Sequence, residues 1–258
     1  MNNSLPDNDE QKLSGEDVDV VERSPFLKWL DNFWYHYKWT VIIIAFFAIV
    51  LIVCVAQMFS DPVYDINITY CGPYGFSAAE AEQMYLDLSD ALPADLNGDG
   101  AKYAGFIRYQ VYSEAEIEEE WRQVEAARKD AEAKGEDPGK ITSSINLAYN
   151  SDQYSQFTNS LLTGQCYIFL CSPFIYEEMK SSGRVCPLSD ALDTLPSYAN
   201  DEYTVLLKDT PMYQNSEILQ KLPEDTVVCL LNEIPQLFAQ SSEDDHLNAV
   251  NTFAGMIK

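Results

Sequence analysis

Three oxygen-bearing side chains alternate through Asp95-Leu96-Asn97-Gly98-Asp99-Gly100. A calcium loop begins in this way, with ligands at positions 1, 3 and 5 ahead of a glycine at the sharp turn. Position 12, where such a loop places a bidentate carboxylate, is Phe106. Asp and Gly are also the ordinary residues of a tight loop between a helix and a strand. Asp95, Asn97 and Asp99 are therefore read as a turn, with calcium binding as its alternative. Acid–base chemistry has few carriers, because the chain holds only 2 His, His36 and His246. Neither a Ser-His-Asp set nor a His-based zinc cluster can be assembled from them. No glycine-rich phosphate loop occurs. Carboxylates are abundant, at 41 Asp and Glu, yet no spacing singles out a glycosidase-like pair. The chain is read as non-enzymatic and without a cofactor.

Binding chemistry is better represented. Of the 16 Tyr, Tyr70 and Tyr74 fall at the end of a strand-like run, and Ser172 ends another. In α/β proteins ligands bind outside the carboxyl ends of strands, and aromatic rings there can stack on a sugar or a peptide. Tyr70, Tyr74 and Ser172 are the candidate ligand residues; a tyrosine packed with its hydroxyl in water is the plainer alternative. Five of the 6 Cys, Cys71, Cys166, Cys171, Cys186 and Cys229, lie beyond the apolar run that contains Cys54. Their odd number and apolar neighbours read as thiols packed as small hydrophobes, with a Cys171–Cys186 bridge left open.

These residues need a scaffold, and the hydrophobic pattern describes one. Asp65–Cys71 alternates as a strand, and Gly72-Pro73-Tyr74-Gly75 breaks it. Ser77 and Glu80 form a capping box for a helix from Ala78 to about Leu92. Tyr103–Tyr112 is the next strand, and Glu114–Lys134 a charged helix with a narrow apolar stripe of Ile117, Trp121, Val124 and Ala131. A helix after Ser151 closes at Gly164, and Cys166–Cys171, apolar on both faces, reads as a buried central strand. Pro173 opens a helix that Gly183 stops. Tyr203–Leu207 and Thr226–Leu231 are further strands, and Asp245–Ile257 a closing helix. The expected fold class is α/β, a mostly parallel sheet of about five strands flanked by helices.

Thr40–Phe59 holds no charged residue and is long enough to cross the roughly 30 Å core of a bilayer as a helix. The 39 residues ahead of it are too many and too polar for a cleaved signal peptide. Arg23, Lys28 and Lys38 precede the run, whereas the first basic residue after it is Lys102. The positive-inside rule then places the N-terminus in the cytoplasm and the C-terminal domain outside. Trp29, Trp34, Tyr35, Tyr37, Lys38 and Trp39 crowd beside the run, where amphipathic rings prefer the headgroup level. Four segments result: an acidic cytoplasmic tail (1–25), an aromatic juxtamembrane helix lying along the inner surface (26–39), a transmembrane helix (40–59) and an extracytoplasmic α/β domain (61–258).

Beyond residue 60 the chain has 33 acidic and 12 basic residues, net −21. That charge repels nucleic acid and anionic lipid surfaces, and leaves cations, basic partners and neutral ligands as the classes to consider.

Residues 144–192 order a helix ending Leu161-Leu162-Thr163-Gly164, a buried strand Cys166–Ser172, a helix from Pro173, then Val185-Cys186-Pro187-Leu188-Ser189-Asp190. This resembles part of one lobe of the bacterial extracellular (type II periplasmic) solute-binding proteins, and the likeness extends to residues 64–92. The resemblance implies an α/β lobe with ligand at the strand ends; such proteins build two lobes around a cleft, and 61–258 suffices for one. The tail, the aromatic stretch ending Tyr37-Lys38-Trp39, the span and the acidic domain together also resemble single-pass membrane proteins of Gram-positive gut bacteria. The expected function is a membrane-anchored extracytoplasmic binding module that engages a protein partner in preference to a small solute. The alternative is a tethered solute receptor feeding a transporter or signalling through the tail.

Overall fold

The computed structural model describes residues 24–58, 63–233 and 243–257. Most of the acidic tail, Arg23, Phe59 and Asp61 lie outside the described residues. The chain divides into two units, one ending at Asp61 and one beginning at Pro62.

The first unit is a single helix, α1 (Pro25–Met58, 34 residues). It is unbroken through Trp39 and Thr40, so the aromatic stretch and the apolar run are one element, not a surface helix that turns into a span. The physical reason is compositional: no Gly or Pro follows Pro25 within it. Its length is about 50 Å at 1.5 Å per residue, well beyond a bilayer core. Asn32–Gln57 is long and apolar enough to cross a membrane. Phe26, Trp29, Phe33 and Tyr37 follow one another at 5.3 to 6.1 Å between ring centroids, a ladder set by the i, i+3 and i+4 spacing. Trp34, Tyr35, Lys38 and Trp39 are also exposed.

The second unit is a five-stranded sheet with helices around it. Its elements are β1 (Ile66–Gly72), α2 (Ala78–Ala91), β2 (Ala104–Gln110), α3 (Glu114–Lys134), α4 (Leu147–Thr163), β3 (Ile168–Cys171), α5 (Pro173–Ser181), α6 (Leu188–Ala191), β4 (Thr204–Leu206), α7 (Pro211–Asn215), β5 (Val227–Leu230) and α8 (Glu243–Met256). Strand order is β2-β1-β3-β5-β4. β1 is parallel to both β2 and β3, whereas β5 is antiparallel to both β3 and β4. The sheet is thus mixed, not mostly parallel. Val227–Leu230 is buried throughout, as β3 is; apolar residues on both faces report central position and say nothing of direction.

Local signals explain the helix ends. Ser77 and Glu80 make the expected capping box of α2, and Ser113 with Glu116 makes a second one for α3. α4 starts four residues ahead of Ser151, because Asn146 Oδ1 accepts the N–H groups of Ala148 and Tyr149 and so caps it. Gly135 and Gly164 end α3 and α4 in the left-handed conformation. The core joins Ile68, Tyr70, Phe169, Leu170, Val228 and Leu230 of the sheet to Met84, Leu88, Phe157, Ile175 and Phe253 of the helices.

Candidate functional site

Parallel pairing of β1 with β2 and β3 brings their carboxyl ends together, and the chain turns back over them at 73–77. Tyr70, Tyr74 and Ser172 meet there around Gly72. The Tyr70 hydroxyl accepts the Tyr74 N–H at 3.0 Å. A Cβ on Gly72 would stand 2.7 Å from that hydroxyl and 3.5 Å from Ser172 Cβ, so only glycine permits the approach. Tyr70 is 1% exposed and Ser172 9%. Both are covered, and neither lines the cleft that opens beside Tyr74: burial drives the Tyr70 pKa well above that of a free phenol, and Ser172 is the N-cap residue of α5.

Tyr74 is the member of the three that faces outward. Its hydroxyl donates to Glu80 Oε1 at 2.9 Å, and Lys221 Nζ donates to the same oxygen at 2.8 Å. Lys221, the Ser77 N–H, Tyr74 and the Ser77 hydroxyl hold the Glu80 pKa down to about 2. The Tyr74 ring meets Phe76 edge-on at 4.9 Å, and Phe76 meets Phe106 of β2 at 5.1 Å. A cleft of about 360 Å³ opens beside this cluster. Its walls are Tyr74 and Phe76 on one side and Tyr149, Gln153 and Gln156 of α4 on the other, with Phe106, Arg108 and Gln110 of β2 between them. Gln110 Nε2 is held by Tyr112 Oη at 2.7 Å and the Pro73 carbonyl at 3.3 Å. Arg108 is exposed and has no ion-pair or hydrogen-bond partner among the described residues.

The lining offers rings, amides and a guanidinium. It contains no carboxylate, imidazole or thiol, the groups with which acid–base and nucleophilic catalysis is usually built. Such a surface can hold hydrogen bonds and stack on a ligand. Arg108, Gln110, Tyr149 and Gln153 were not singled out from the sequence. The available signal was the alternation Phe106, Arg108, Gln110, which puts three consecutive same-face residues of a strand beside one another.

The Asp95–Gly100 loop is closed on itself. Asp95 accepts the N–H groups of Gly98 at 2.7 Å and Gly100 at 2.8 Å, Asn97 Oδ1 that of Asp99 and Asp99 Oδ1 that of Ala101. The Gly100 and Gly98 N–H groups pull the Asp95 pKa down. Asp65 ties the loop to β1 by accepting from Leu96, Asn97 and Tyr103 at 2.7 to 3.0 Å. Phe106, the residue at loop position 12, is in β2. Among the described residues no group of three His, Cys, Asp or Glu side chains is arranged to hold a metal ion. The loop oxygens are occupied in the way of a self-capped turn.

A second cleft, of about 390 Å³, lies at the amino ends of the strands and includes Tyr64, Asp65, Asn67 and Gln165. Asp65 there is committed to the loop. All six cysteines are free; Cys171 lies 4.0 Å from Cys229 between sulfurs, and the Cys171–Cys186 bridge is not formed.

Asp201 makes the densest polar network outside the cleft. It accepts from Tyr176 and from Lys180 at 3.1 Å, and from the Tyr203 N–H, the Thr204 N–H and the Thr204 hydroxyl. Lys180 Nζ also sits 5.1 and 5.2 Å from the Tyr176 and Tyr203 ring centres. Partial burial opposes the charge on Asp201, but the hydrogen bonds outweigh it and hold the pKa down to about 2. A carboxylate depressed from its ordinary value near ~3.9 stabilises the fold above about pH 4, and this contribution fades as pH falls toward 2. The expected size is about 1–2 kcal/mol after solvent screening. Urea unfolding of the wild type and of Asp201→Asn at pH 6 and pH 3 measures it: the gap between the two proteins narrows at pH 3, and a gap independent of pH refutes the assignment.

No protein-family model, curated protein or solved structure matches this chain.

Proposed function

We propose that this chain is a membrane-anchored binding protein, with α1 in the bilayer, the N-terminus in the cytoplasm, and the α/β domain outside engaging a protein partner without catalysis. The observation that carries the reading is the cleft along β2, whose lining of Tyr74, Arg108, Gln110, Tyr149 and Gln153 offers rings, amides and a guanidinium for stacking and hydrogen bonding. Its open form, continuous with a strand edge, favours an extended chain over an enclosed solute. Orientation rests on Lys28 and Lys38 ahead of the apolar run against no basic residue until Lys102 after it.

The second reading, a tethered solute receptor, draws on the likeness of residues 144–192 to a solute-binding lobe and on a cleft volume within the range of small-molecule sites. One set of measurements separates the two. The full chain in nanodiscs is melted with pools of peptides, sugars, amino acids and with calcium. A ligand at a hundred times its Kd stabilises by about 2.7 kcal/mol, which is a rise of several degrees for a domain of this size. Peptide pools are expected to raise the transition, and a rise with sugars or amino acids alone would replace the first reading by the second. Alkaline phosphatase fused after Lys258 is expected to be active; activity only when it is fused ahead of the helix reverses the orientation.

A further inference from the structure

Among the described residues β2 is an edge strand, with β1 as its neighbour in the sheet. The residues of a strand present their backbone groups alternately to its two sides. Val111 donates its N–H to Gly72 of β1, and Tyr103 accepts from Asp65 with its carbonyl, so the odd-numbered residues face β1. The even-numbered ones face outward, and two of them are capped: Ala104 N–H by Ser89 Oγ at 2.9 Å, and Gln110 N–H by Gln153 Oε1 at 3.4 Å. Between these caps, the outward N–H and C=O groups of Phe106 and Arg108 have no partner among the described residues. The outward N–H groups of the edge are capped at both ends and uncapped at two residues in the middle.

The open stretch is also the floor of the cleft, walled by Tyr74 and by Tyr149 and Gln153 of α4. An unpaired edge flanked by walls is the geometry in which a peptide adds as a further strand, with backbone pairing supplying affinity and side-chain contacts supplying choice. Charge narrows the choice. Arg108 is the cation of the lining and has no carboxylate of its own to pair with. The domain around it is strongly acidic, and its field attracts basic chains.

We propose that the open edge of β2 binds an extended peptide segment of a protein partner, paired through the backbone of Phe106 and Arg108, with one Asp or Glu set on Arg108 and basic residues flanking it. This deepens the binding reading above and rests on it. A charge on an edge strand is also a device against strand pairing, and the experiment distinguishes the two roles of Arg108.

A random 12-residue peptide library displayed on phage is panned on the full chain in nanodiscs, with empty nanodiscs as the control. Enriched peptides are resynthesised, and their affinity is measured for the wild type, Arg108→Lys and Arg108→Glu. The expected result is a single acidic residue flanked by Lys or Arg, a loss of tenfold or more with Arg108→Glu, and partial retention with Arg108→Lys. N-methylation at alternate peptide positions is expected to abolish binding in one phase and to spare it in the other, a pattern that side-chain docking does not produce. Peptides that bind Arg108→Glu equally well and tolerate N-methylation everywhere overturn the edge site while leaving the binding reading intact. No enrichment over empty nanodiscs overturns both. Self-association of the chain that Arg108→Glu abolishes, without peptide enrichment, makes Arg108 part of a contact between copies and overturns the peptide occupant.

Discussion

Replacing Ile44, Phe47 and Leu51 together by Lys is expected to move the chain out of the membrane fraction. All three lie in the apolar stretch Asn32–Gln57, and each is exposed on the helix surface. A Lys near the centre of a span costs roughly 2.5–3.5 kcal/mol, and each replaced residue had contributed about −0.3 to −0.6 kcal/mol. The triple change therefore opposes insertion by about 10 kcal/mol, more than the remaining apolar residues supply. The decisive measurement is the distribution of protein between membrane pellet and supernatant after alkaline carbonate extraction. Wild-type chain stays in the pellet; release of the wild type would mean that α1 is not a span. The aromatic ladder from Phe26 to Tyr37 continues the same helix toward its N-terminal end. Rings there favour the interface, so the triple variant, with its ladder intact, is expected to retain weak, salt-independent association.

Phe169→Ala is expected to be the most damaging single change in the α/β domain. Phe169 is fully buried in β3, the middle strand of the sheet, opposite Cys229 of β5, and its ring meets Phe157 of α4 edge-on at 6.2 Å. Phe157 in turn meets Tyr109 of β2 at 6.0 Å, so the ring joins the centre of the sheet to its edge through α4. Losing a buried phenyl group costs about 3–5 kcal/mol, the transfer energy together with the cavity left behind. Against a total of roughly 5–15 kcal/mol this is a large share. The midpoint of thermal unfolding is expected to fall by about 10 °C, and near-ultraviolet circular dichroism of the full chain reads it. Trp121→Ala serves as the comparison. Trp121 is 44% exposed on α3, and its removal is expected to cost less than about 1 kcal/mol. Equal losses for the two variants would contradict the placement of Phe169 at the centre of the core.

Much of the scaffold was legible because its signals are local. The capping box of Ser77 and Glu80, the helix-ending Gly164 and the apolar stripe of α3 depend on neighbours within one or two turns. The direction of β5 was not legible, since Val-Val-Cys-Leu is apolar on both faces whichever way it runs. The start of α4 was placed late because Ser151 and Asn146 are both N-cap residues, and only the backbone N–H groups of Ala148 and Tyr149 choose between them. For the site, Tyr70, Tyr74 and Ser172 stand near one another around Gly72, yet strand alternation alone could not tell that Tyr70 and Ser172 are covered and that Tyr74 lines the cleft.

By itself, the sequence determined that one helix is long and apolar enough to cross a membrane, that an acidic α/β domain follows it, and where α2, α3, α5 and α8 run to within about two residues. These are consequences of composition and short-range periodicity, and they need no partner elsewhere in the chain. Tertiary structure alone decided that the sheet is mixed and that Arg108 stands unpaired over an open strand edge. Each of these depends on groups distant in sequence, as when Gln153 of α4 caps Gln110 and leaves Phe106 and Arg108 uncapped. Hydrogen-bond satisfaction is a property of the folded neighbourhood, and no spacing within one segment encodes it.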